Sequence, residues 1–129
     1  MENQGLYIKK RENDIARLKQ EALTLQNDKG AYLEKSYEIF NSYKKFQSDS
    51  ALHYIMLCKQ LALHAPDSVV VSIDLDMAWI FSTIGRYIEA EDILKQLNPD
   101  KLSKTILPKY YDSYSAFYSH YGQNNTVDM

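Results

Sequence analysis

The fold is decided by the stretch Met77-Ala78-Trp79-Ile80-Phe81-Ser82-Thr83-Ile84-Gly85-Arg86-Tyr87-Ile88-Glu89-Ala90. A small residue, Ala78, lets two helices approach closely. An aromatic residue three positions later, Phe81, fills the gap between them. Gly85, four positions beyond, is free to take the left-handed conformation that reverses a chain after a helix. Ala90 then falls at a tight crossing in the returning helix, with Leu94 and Leu97 following as that helix's core. The pattern recurs downstream as Tyr114-Ser115-x-x-Tyr118-x-x-x-Gly122, with the same offsets from small residue to aromatic to glycine. Recurrence at fixed offsets is the mark of a stacked helical repeat, in which each unit buries its apolar face on its neighbour.

This small–aromatic–glycine pattern with its crossing alanine resembles the tetratricopeptide repeat. A degenerate earlier copy spans about Lys35 to Pro66, with Ala51 as the crossing alanine but no turn glycine. The resemblance implies an all-α fold of antiparallel helical hairpins, stacked as a short right-handed superhelix of about six helices. One domain over 1–129 would comprise an amphipathic helix over 4–28, a degenerate repeat over 31–65, a repeat over 68–98 and the first helix of a further repeat over 108–121. That count implies an unfinished array, so the chain is expected to be part of something larger.

The flanking segments fit helices. From Gln4 to Asp28 a heptad places Ile8, Ile15 and Ala22 at a and Arg11, Leu18 and Leu25 at d, and Lys29-Gly30 reads as the stop. Three heptads with an arginine and an alanine in the seam are weak as a coiled coil, so packing on the rest of the chain is favoured over a dimer seam. Leu33, Tyr37, Phe40 and Tyr43 form one side of the next helix, Ala31 to Phe46, with Ile39 and Phe46 beside them. Ser48 or Asp49 is a natural N-cap for a third helix from Ser50 to about His64. The β-branched run Val69-Val70-Val71-Ser72-Ile73 favours a strand taken alone. No second strand-like run exists to pair with it, and Val70, Ile73, Met77 and Phe81 keep helical spacing, so a helix to about Thr83 is expected. The fifth helix, Tyr87 to Leu97, points Ile88, Ala90, Ile93, Leu94 and Leu97 inward. The sixth begins near Pro108, which suits a first turn, and ends at Gly122. The polar tail from Gln123 to Met129 is expected to fray.

Composition agrees. The 129 residues are 45% apolar and 25% charged, a globular balance, and hold only 4 glycines and 3 prolines, fewer than a turn-rich sheet protein needs. Fifteen lysines and arginines are interspersed among seventeen acids for a net charge of −2, so no basic footprint supports direct nucleic-acid binding by this segment. No apolar run approaches the roughly 18 residues of a membrane span, and Met1 to Lys10 lacks the apolar core of a signal peptide.

The sequence offers no catalytic chemistry. Asp74 and Asp76 stand two apart and diverge on a helix. His53, His64 and His120 have no metal-ligand spacing with Cys58 or with one another. Cys58 sits on an apolar helix face and reads as core. Phosphate loops and nucleophile elbows are missing, and no cofactor or metal is expected. Asn124-Asn125-Thr126 matches a glycosylation triplet of the kind that arises by chance.

The expected work is therefore binding of a protein or peptide. Mapped onto the repeat, the concave face carries Asp76, Trp79 and Thr83, then Lys109, Asp112 and His120, with Tyr37 and Lys44 from the degenerate copy. Lys44 and Lys109 are placed to meet a partner's carboxylate. The aromatic last helix has two rows. Leu107, Tyr111, Tyr114 and Tyr118 form one, expected to pack. Tyr110, Phe117 and Tyr121 form the other, expected to mediate self-association as a homodimer. The opening Tyr7-Ile8-Lys9-Lys10-Arg11-Glu12 with Ile15, Leu18 and Lys19, and then Tyr43-Lys44-x-Phe46-Gln47-x-Asp49-Ser50-Ala51, resembles the N-terminal region of tetratricopeptide-containing bacterial regulators. The resemblance implies a sensory, extracytoplasmic (periplasmic) piece of a larger regulator; without it the chain would be read as cytoplasmic. The alternative is a structural oligomerisation segment that uses the first and last helices.

Overall fold

The computed structural model describes the backbone of residues 2–124 and the side chains of residues 9–121. Six helices run in order: α1 (Glu2–Thr24), α2 (Lys29–Tyr43), α3 (Ser48–Leu61), α4 (Asp67–Thr83), α5 (Tyr87–Lys95) and α6 (Leu107–Asn124), with a short 3₁₀ turn at Pro99–Lys101. No strand occurs among the described residues. The β-branched run is helical because its period-3.6 face has a core to enter. Ile73, Ala78 and Ile80 are fully buried, and burial of that size outweighs propensity differences of a few tenths of a kcal/mol per residue. The chain forms two compact units, Met1–Leu61 with α1 to α3 and Ala62–Met129 with α4 to α6.

In the first unit α2 packs against both α3 and α1. Ile15, Leu18 and Ala22 of α1 are buried, which favours packing over an exposed seam. Arg11 fills its polar slot by donating to the Ser42 carbonyl at 3.0 Å. Ile8, the heptad's first position, lies outside the described side chains. The core face of α2 is rotated from the expected one. Ser36, Ile39, Phe40 and Tyr43 are buried, while Leu33 and Tyr37 are only half-buried. Lys29-Gly30 is not a stop. Asp28 caps α2 by accepting from the Ala31 amide at 3.2 Å, which places both residues in the helix's first turn. Likewise α3 begins at Ser48, earlier than expected, with the Ala51 amide donating to the Gln47 carbonyl at 3.0 Å. Ser48 is thus inside the helix and not its cap.

In the second unit α4 packs on α5 and on α6. Gly85, at φ 86°, closes α4 as the repeat pattern requires. The Arg86 amide reaches back to the Phe81 carbonyl at 2.8 Å and the Gly85 amide to the Ser82 carbonyl at 3.3 Å, a paired closure that depends on the left-handed residue. Ala90 and Leu94 of α5 are fully buried, but Ile88 is 76% exposed, contrary to expectation. It lies two positions from Ala90, on the far side of the helix. Gly122 does not end α6, which continues to Asn124. The tail beyond lies outside the described residues.

Candidate functional site

The placement of α6 decides which of its side chains can meet a partner. Three polar contacts fix its rotation on α4. Lys109 Nζ donates to Asp76 Oδ2 and to Ser72 Oγ, both at 2.7 Å, and Ser113 Oγ donates to the Leu75 carbonyl at 3.0 Å. The Asp76 side chain is 3% exposed and that of Lys109 32%. Burial pushes the Asp76 carboxyl up to about 6, and the neighbouring ammonium only partly opposes this. Ser113 is the small residue at the close approach, and it is buried with Tyr110 and Phe117 on either side of it. At its other end α6 is held by Tyr87, whose hydroxyl donates to the His120 carbonyl at 3.1 Å. The Tyr87 ring meets Phe117 and Tyr121 edge-on, with centroids 6.2 and 5.4 Å away.

This rotation exchanges the two expected rows. Tyr110 (7% exposed) and Phe117 (3%) are core, so they do not form a self-association surface; Tyr121 is partly exposed at 43%. The outward row is Tyr111 (58%) and Tyr118 (62%), with half-buried Tyr114 between them. Tyr114 stacks on Tyr118 at 5.7 Å, and the buried Tyr110 meets Tyr111 and Tyr114 edge-on at 5.3 and 5.0 Å, so the outward rings form a strip braced through Tyr110. A count of apolar rows missed this because the centre of the inward row is a serine. The signal available in the sequence was the spacing Tyr110, Ser113, Phe117 with a small residue in the middle.

The repeat register explains why the outer strip is uncovered. In α4 the small–aromatic pair is Ala78 and Phe81, both buried, and α5 folds back on α4 through Gly85. The matching pair in α6 is Ser115 and Tyr118, both exposed. Among the described residues no helix folds back on α6 as α5 does on α4.

The concave-face positions divide between the two units. In the first, Tyr37 is half-buried and meets Phe40 edge-on at 5.8 Å, and the Lys44 ammonium lies 6.0 Å from the Phe40 ring centroid. In the second, Asp76 and Lys109 pair with each other, Asp112 is exposed, and Trp79, Thr83 and His120 are half-buried. The Thr83 hydroxyl bonds back to the Trp79 carbonyl at 2.9 Å. Cys58 is fully buried, and its thiol is pushed up to about 12 by that burial. Among the described residues no group of three or more His, Cys, Asp and Glu could hold a metal ion, and no helix is long and apolar enough to cross a membrane.

No curated protein and no solved structure shows a significant match to the chain. A family model does, over residues 1–128, and its description is the SusR N-terminal TPR domain. The all-helical architecture, the glycine-closed α4–α5 hairpin and this match over nearly the whole chain agree: the chain belongs to the SusR N-terminal TPR domain family.

Proposed function

We propose that the chain is a protein-interaction module whose working surface is the outward tyrosine strip of α6, and that the occupant is an amphipathic helix. Tetratricopeptide domains are, as a class, non-catalytic interaction modules. The observation that carries the reading is the exposure of Ser115 and Tyr118 where the matching Ala78 and Phe81 of α4 are buried. The occupant's chemistry follows from α5, which presents Ala90 and Leu94: a small residue at the crossing and a leucine one turn later. Tyrosines on such a strip bring large contact area at low cost in conformational entropy.

The test is a Tyr111→Ser, Tyr118→Ser double variant, compared with the parent by sedimentation at high concentration and by binding of a synthetic peptide carrying residues 85–98. The parent binds the peptide or self-associates, and the variant does neither while keeping its helical circular dichroism. Identical behaviour of the two proteins in both assays removes the strip from the function.

We further propose that the chain is the sensory, N-terminal part of a larger bacterial regulator, held on the extracytoplasmic side; the family's description as an N-terminal domain supports the first part of that reading. A fusion of alkaline phosphatase after residue 129 in the native gene is active only if that side is correct. Peptide capture on the concave-face positions is a second reading, and the incomplete burial of Trp79 favours it. It requires that Trp79→Ala leave the fold intact and abolish partner binding.

A further inference from the structure

Between α1 and the C-terminal end of α2 lies a cavity of about 230 Å³ that the α6 strip does not involve. Ile15, Ala16, Tyr43 and Phe46 line it, and the exposed Glu12 and Lys19 are its charged rim. The Lys19 ammonium lies 5.2 Å from the centroid of the Tyr43 ring and 5.8 Å from that of Tyr54. Those two rings stack on each other at 5.9 Å, so the ammonium rests on a rigid aromatic platform. The Phe46 wall carries a second cation, the Arg11 guanidinium, 5.4 Å from its centroid.

Lys19 differs from the cations that form ion pairs. Lys35, Lys95, Lys109, Arg17 and Arg86 each carry a carboxylate partner. Among the described residues Lys19 is held by tyrosines. Its bond to the Tyr43 hydroxyl holds its pKa above the ordinary lysine value, so it is fully charged at neutral pH. One cation, Lys19, and one carboxylate, Glu12, line the cavity, and its aromatic walls are flat and apolar. A ring over an ammonium leaves the ammonium's other donors directed away from the ring, toward whatever occupies the cavity.

We infer that this cavity binds a small organic carboxylate with a flat apolar body, of the size of an amino acid, whose anion pairs with Lys19 and whose body lies against the adjoining rings of Tyr43 and Phe46, whose centroids are 5.7 Å apart. The volume admits one such group and is below the range of drug-sized pockets, so binding is weak, in the millimolar range. The opposed charges at the rim give the site a sense: Glu12 repels the anion and Lys19 attracts it.

The test titrates the full chain with N-acetyl-phenylalanine carboxylate and, separately, with N-acetyl-phenylalaninamide, following backbone amide shifts by NMR. The carboxylate binds more tightly, with the largest shifts at Lys19, Tyr43 and Phe46. Lys19→Met keeps the aliphatic stem on the rings and removes the charge. It weakens carboxylate binding by about tenfold, as expected for loss of one charge-assisted hydrogen bond. Glu12→Gln removes the repelling charge and tightens binding, a gain that structural damage does not produce. Equal affinity for carboxylate and amide, absence of carboxylate binding at millimolar concentration, or an unchanged affinity in Lys19→Met overturns the assignment.

Discussion

The buried Asp76 allows a sharp test of what holds α6 on α4. Its carboxyl titrates near 6 in the folded protein against an ordinary 3.8, with burial as the first cause and Lys109 opposing it. A raised acid binds its proton more tightly folded than unfolded, so the folded state is favoured while the group is protonated. The contribution is fully present below the unfolded pKa and is lost as pH rises through about 6. At 1.36 kcal/mol per unit, the span is on the order of 3 kcal/mol. Asp76→Asn keeps the shape without the charge, and Lys109, whose side chain is 32% exposed, can turn toward water. Urea unfolding of both proteins, from about pH 4 to about pH 7.5, isolates the group from all other titrations. The parent is expected to lose up to about 3 kcal/mol relative to Asp76→Asn across that window. The reasoning would be refuted by the opposite sign, the parent gaining on the variant as pH rises. Attraction to Lys109 would then exceed the burial penalty, and the pair would be a net stabilising one.

Three further outcomes follow from the packing. Phe117→Ala costs about 3–5 kcal/mol in denaturant unfolding, whereas Tyr118→Ser, on the exposed row, changes stability by about 0.5 kcal/mol or less. Equal costs would mean that the two rows of α6 are not distinguished by burial. Gly85→Ala costs about 1 kcal/mol; a Cβ there meets nothing within 4 Å, so the loss is purely conformational and is measured by the same unfolding curves. Cys58, buried with its thiol pushed up to about 12, stays unlabelled by a maleimide in the native protein at neutral pH and reacts at once in denaturant.

Where local chemistry alone fixes a feature, the sequence was legible. Gly85, Ala90 and Leu94 stand where their offsets place them, and the helical reading of Val69 to Ile73 follows from the lack of a pairing strand. What was hidden depends on rotation about a helix axis. Counting apolar residues treats Ser113 and Ser36 as breaks in a stripe, yet both are buried at the centres of their faces, since a small side chain is what a close helix approach needs. The two rows of α6 were exchanged for that reason, and α2 was turned by about one position. Asp76 was placed on the concave face by its position in the repeat, and only the arrival of Lys109 from 33 residues away makes its burial tolerable. Gly30 was taken for a stop because a glycine after an amphipathic run usually is one, and the cap from Asp28 reassigns it. The cavity at Lys19 was invisible for a similar reason. It is made by α1 lying across the end of α2, and nothing in the spacing of either helix announces that contact.

Tyr87 stands two residues after Gly85, and its hydroxyl and ring hold His120, Phe117 and Tyr121. The turn that closes the α4–α5 hairpin therefore also latches the far end of α6. Peeling α6 away must break contacts beside that turn, while the Lys109 and Ser113 anchors hold its near end and middle. Amide hydrogens along these three helices should then exchange as one cooperative block with a common opening energy, instead of showing protection that decays toward residue 121.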